Sequence, residues 1–174
     1  YSQSGDIQIT TRNSLGSNAA GDISFSVGSS NSSDPGGGVL LRSGDNSLAG
    51  SIAGTLEILA GSGSDGGSVS VTSGLGVVGD SGNLYVTANY GHNLGGSVLI
   101  KSGTSTSDQN GNIALLTESN SDSSGSITIR TGDSKTSSSG SISISPGAST
   151  NAAGSDLIIN GGVSNTKGGS VMVL

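Results

Sequence analysis

An all-β fold, a parallel β-solenoid of about twelve short strands with almost no helix, is the architecture this sequence predicts. Two observations carry the prediction. One short unit, Gly-polar-aliphatic-x-aliphatic followed by a small residue, recurs along the whole chain. The spans between copies are rich in Gly, Ser, Asn, Asp and Thr, which favour turns and tight arcs. The first aliphatic of each copy is Ile7, Ile23, Val39, Leu56, Val69, Leu84, Val98, Ile113, Ile127, Ile142, Leu157 or Val171. The second is Ile9, Phe25, Leu41, Ile58, Val71, Val86, Ile100, Leu115, Ile129, Ile144, Ile159 or Val173. All 24 positions are Val, Ile, Leu or Phe. Period-two spacing puts both aliphatics of a copy on one face of a strand. β-Branched residues suit that pleated surface. These 24 residues are the expected core ladder.

Copies follow one another every 13 to 17 residues, and a longer period lies inside this one. After the second aliphatic, odd copies carry Thr10, Arg42, Thr72, Lys101, Arg130 and Asn160. Even copies carry Ser26, Leu59, Thr87, Leu116, Ser145 and Leu174. Half of the odd positions are basic and no even one is. Leu84, Ile113, Ile142 and Val171 are each 29 residues apart. The expected coil is therefore two strands in about 29 residues, with odd and even strands in two facing sheets. An antiparallel meander is the rival, but its connections would be long for hairpins, which favour two to five residues.

Each Gly before a strand is expected at a corner, where a positive φ or a close approach excludes a side chain. The segment around Leu48 and Ile52 lengthens one arc. Residues 1–174 read as a single repeat array. Neither end carries a distinct polar cap, and bare strand edges template pairing. The expectation is a fragment of a longer array or a subunit that stacks on itself.

Composition narrows the functional classes. The formal net charge is −6, with six Lys and Arg in all. Nucleic acid is not expected as a partner, since phosphate binding needs clustered basic residues. No run of about 18 apolar residues is present, so no membrane partner is expected. Gly contributes 32 residues and Cys none. Disulfides cannot staple the fold.

Chemistry-bearing residues are sparse, and no enzyme is expected. His92 is the one histidine. Glu57 and Glu118 are far apart and no carboxylate pair suggests acid–base work. Asp6, Asp22, Asp34, Asp45, Asp65, Asp80, Asp108, Asp122, Asp133 and Asp156 recur singly between copies. A calcium site wants several oxygens together, so these read as turn-forming residues. No catalytic, cofactor or metal residue is assigned. Candidate surface contacts are Arg42, Lys101 and Arg130, a basic stripe suited to an anionic polysaccharide or mineral. Leu59 and Leu116 form an apolar counterpart suited to lateral contact. Asn31 heads the one Asn-x-Ser/Thr acceptor sequence, a candidate glycosylation site. Outward positions are too mixed for an ice-binding array.

The stretches GGSVSVTSG, GGSVLIKSG, SGSITIRTGDS and SGSISISPGAS resemble the Gly/Ser-rich β-solenoid arrays of secreted surface and adhesive proteins, including algal extracellular ones. The resemblance covers the whole chain and carries over no site residue. It implies an extracellular scaffold. The expected function is a structural protein that forms or extends an extracellular filament or stalk, with itself as partner. The alternative is a surface-binding module for polysaccharide, mineral or ice.

Overall fold

Each copy of the repeat builds a short apolar segment and a loop, and six of the loops close at the neck. They are seen in a computed structural model, which describes residues 4–107, 109–119 and 123–174. The chain divides into two units, Tyr1–Val86 and Thr87–Leu174. Each holds six of the twelve repeats.

The predicted β-solenoid is not formed. Among the described residues there is no strand and no helix. None of them is buried either, the 24 ladder aliphatics included. The accessible surface is 17945 Å². A compact chain of this size would expose roughly 7,600 Å².

The reason lies in what each repeat can offer. A strand needs a neighbour's backbone as well as an apolar face. Here the backbone hydrogen bonds that join one part of the chain to another fall outside the aliphatic pairs, at the necks of the loops. Contacts between residues distant in sequence are sparse. Two aliphatics per repeat must also offset the ordering of a long Gly- and Ser-rich connection. Fixing each backbone residue costs about 1–2 kcal/mol, and Gly loses the most freedom of any residue.

The alternation itself survives. Leu99 is 86% exposed, while its neighbours Val98 and Ile100 are 53% and 72% exposed. In this repeat the two aliphatics are thus more sheltered than the residue between them, and the same holds around Leu40, Tyr85 and Ile158. Period two is a property of the extended backbone and needs no partner.

The loops follow a positional grammar. The residue two places before the first aliphatic is Gly in eleven repeats, and Ser155 is the exception. In six loops the N–H of this residue donates to the carbonyl of the residue three places after the preceding second aliphatic. Gly54 donates to Gly44 at 2.9 Å, Gly67 to Gly61 at 2.9 Å and Gly82 to Gly74 at 2.9 Å. In the second unit Gly96 donates to Asn89 at 2.9 Å, Gly111 to Gly103 at 3.0 Å and Gly169 to Gly162 at 2.8 Å.

Whether a neck closes depends on the residue just before the acceptor. In the six closed loops it is Ser43, Ala60, Ser73, Ala88, Ser102 or Gly161, all small and unbranched. In four others it is Thr11, Val27, Thr117 or Thr131. There a branched side chain stands against the glycine, and among the described residues no such bond is made. A Cβ on Gly125 would lie 3.4 Å from Thr117 Cγ2, and one on Gly140 3.4 Å from Thr131 Cγ2. The remaining connection pairs Pro146 with Ser155.

Where these glycines are demanded, the cause is close approach and not backbone handedness, as at Gly37, where a Cβ would lie 2.7 Å from Val27 Cγ1, while Gly5 has nothing within 4 Å. Positive φ occurs at Gly16 and Gly50, neither of which precedes an aliphatic pair. Gly50, at φ +80°, is the third residue of a turn in which Ser51 N–H donates to Leu48 O at 3.1 Å. That geometry is a type II turn, which favours Gly at this place. It accommodates the lengthened arc around Leu48.

Candidate functional surface

Three kinds of group reach the surface in register: loop hydroxyls and amides, charges at the loop mouths, and the aliphatic pairs. Five residues after the second aliphatic, the side chain is repeatedly Ser or Asn. Its oxygen accepts a backbone N–H two or three residues further on. Ser30 accepts from Ser32 at 3.2 Å, Asn46 from Leu48 at 3.2 Å and Ser105 from Ser107 at 3.3 Å. Ser134 accepts from Ser137 at 3.1 Å, Ser149 from Ala152 at 3.0 Å and Ser164 from Thr166 at 3.2 Å. Such local bonds give a turn its shape without help from a core. Where this place holds Gly63, Gly76 or Gly91, a Cβ would meet backbone oxygen at 3.0, 2.3 or 2.0 Å. The loop is then folded too tightly for a side chain. This register is visible in the sequence, where general turn composition masks it.

Arg42 pairs with Asp45, and both side chains are exposed. The two flank Ser43 and Gly44 at a closed neck. Arg130 and Asp133 occupy the same register, while Lys101 has Thr104 in the place of the acid. Arg42 belongs to the first unit, and Lys101 and Arg130 belong to the second. The structure gives Arg42 an intramolecular partner in Asp45. Leu59 and Leu116 are exposed, and they too lie in different units.

Asn31 sits in the exposed loop 28–36 beside a chain of hydroxyls. Ser30 Oγ and Ser32 Oγ are 3.1 Å apart, and Asp34 N–H donates to Ser32 Oγ at 3.2 Å. Among the described residues no group of His, Asp and Glu could hold a metal ion. Asp108 and Asp122 lie outside the described residues. His92, Glu57 and Glu118 are exposed and separate. The described residues enclose no pocket.

The aliphatic pairs are the largest chemical feature on this surface. Each pair brackets one residue, and eleven of those twelve residues are uncharged, Glu57 being the exception. The apolar segments are thus nearly free of charge, while Asp, Arg and Lys cluster at the loops. Comparison with family models, with curated proteins and with solved structures returns no match.

Proposed function

We propose that this chain is a non-catalytic structural element of extracellular material that associates with further copies of itself through its aliphatic pairs. The observation that carries the reading is the regular exposure of all 24 ladder residues. At about 25 cal/mol per Å², an aliphatic side chain holds roughly 60–120 Å² of apolar surface. Two dozen of them, mostly half to three-quarters exposed, offer on the order of 1,400 Å². A specific protein partner covers about 800 Å² on each side. Exposed apolar pairs repeated in every segment supply such contact points many times over.

A second copy fits this surface better than other occupants. It presents the same pairs at the same spacing, so successive segments can engage in register. Almost no charge must be desolvated, because Glu57 is the one charged residue within the segments. The Gly- and Ser-rich loops suit a flexible spacer between such sticky segments.

Sedimentation velocity over a concentration series tests this. The wild-type chain is expected to gain mass as concentration rises. A quadruple variant, Ile127→Ser, Ile129→Ser, Ile142→Ser and Ile144→Ser, is expected to need several-fold higher concentration for the same shift. A wild-type chain that stays monomeric throughout, or a variant indistinguishable from it, overturns the proposal.

A further inference from the structure

The sequence contains two Asn-Gly steps, Asn110–Gly111 and Asn160–Gly161. Asn-Gly is the dipeptide in which a backbone nitrogen most easily reaches the preceding side-chain amide, because Gly places no Cβ in the way. The structure treats the two steps differently.

At Asn110–Gly111 both reacting groups are held. Asn110 Oδ1 accepts the Ser105 N–H at 2.7 Å. Gly111 N–H donates to Gly103 O at 3.0 Å, closing the neck of that loop. Succinimide formation here requires both bonds to open together. At Asn160–Gly161, neither the side-chain amide nor the Gly161 N–H takes part in any hydrogen bond among the described residues. In this loop the closing bond runs from Gly169 N–H to Gly162 O, in the register of the other closed necks, and Gly161 stands just before the acceptor. Gly161 Cα packs against Gly169, where a Cβ would stand 2.4 Å from the carbonyl oxygen, but that approach leaves the Gly161 nitrogen free.

We infer that Asn160 is a site of spontaneous deamidation and isoaspartate formation, and that Asn110 is protected from it by the closed loop. The Gly161 nitrogen attacks Asn160 Cγ and forms the new C–N bond. The Cγ–NH2 bond breaks, and ammonia leaves with the proton lost from the Gly161 amide. Water then opens the resulting succinimide to isoaspartate or aspartate. No oxidant, metal or enzyme is needed. The product places a carboxylate directly after the Leu157/Ile159 pair, in the register that Arg42, Lys101 and Arg130 occupy in other odd repeats. Isoaspartate also adds one backbone methylene there. The modification therefore turns a neutral end of one apolar segment into a charged one as the protein ages. It does not depend on self-association.

The test is peptide mass spectrometry of the full chain held in mildly alkaline buffer, sampled over time, with a parallel incubation in urea. Two net hydrogen bonds of about 0.5–1.5 kcal/mol each correspond to a protection of roughly 5-fold to 160-fold. Asn160 is expected to deamidate faster than Asn110 by a factor in that range in buffer, and the two rates are expected to converge in urea. Asn160→Gln, whose cyclisation is slow, is expected to remove the fast phase. Equal rates in buffer overturn the inference. So does a ratio unchanged by urea, since the difference would then come from neighbouring sequence and not from the loop.

Discussion

A glycine before each aliphatic pair is tolerated or demanded according to what faces it. At Gly96 a Cβ would sit 3.1 Å from Ala88 Cβ and 3.3 Å from Asn89 O, the acceptor of its own N–H. Gly96→Ala is therefore expected to open this neck. Amide exchange at residue 96 should accelerate by roughly threefold to tenfold, the equivalent of one net hydrogen bond. Gly5, with nothing within 4 Å of a Cβ, provides the neutral control in Gly5→Ala. The neighbouring position acts in the opposite sense. Thr117→Ala removes the methyl that stands against Gly125, and protection at the Gly125 amide is expected to rise by a similar factor. At this scale the sequence was informative in outline. It marked the pre-aliphatic glycines as special, but it offered handedness and close approach as equal reasons. Composition cannot separate them, because both exclude a side chain. Only the spatial neighbour distinguishes them. Arg42 is a parallel case. Its spacing from Asp45 is visible in the sequence, but a stripe of basic residues by itself does not show which acid pairs with it. An exposed pair of this kind contributes about 0–1 kcal/mol. Asp45→Asn should leave loop stability almost unchanged and raise retention on an anionic polysaccharide column, because the guanidinium is released.

The single repeat is the next scale, an apolar segment followed by a self-satisfied loop. Ser or Asn at the fifth place after the second aliphatic supplies the local acceptor that a sheet neighbour would supply elsewhere. Ser164→Ala is expected to free the Thr166 amide and speed its exchange by about threefold to tenfold, without altering the Gly169–Gly162 closure. A joint loss of both bonds would show that the loop is one cooperative unit. The odd–even contrast read from the sequence has one structural echo. Of the five half-buried described residues, Ser43, Ser102, Thr131 and Gly161 are the second residue after the pair in odd repeats. The aliphatic alternation was also legible, and it persists in the exposures around Val98 and Ile100. What the pattern could not state is whether another face lies opposite. Period two reports that two side chains share a side, and it holds for an extended segment with or without a partner strand.

In the whole molecule, apolar segments that carry almost no charge alternate with loops that carry nearly all of it. The net charge of −6 opposes association between copies, and salt screens it. Self-association is thus expected to strengthen as ionic strength rises, which light scattering in a salt series at fixed concentration would follow. The inference of a solenoid failed at this scale and not at the smaller ones. Two aliphatics per repeat suffice only if segments stack, and here the loop necks hold the backbone bonds and leave the apolar segments open.

The most direct measurement is an isotope-filtered methyl NOE experiment on a mixture of methyl-labelled and unlabelled chains. The account predicts contacts between copies that involve the Ile127, Ile129, Ile142 and Ile144 methyls, with few long-range methyl contacts inside one chain. A dense network of contacts within the chain and none between copies would contradict it.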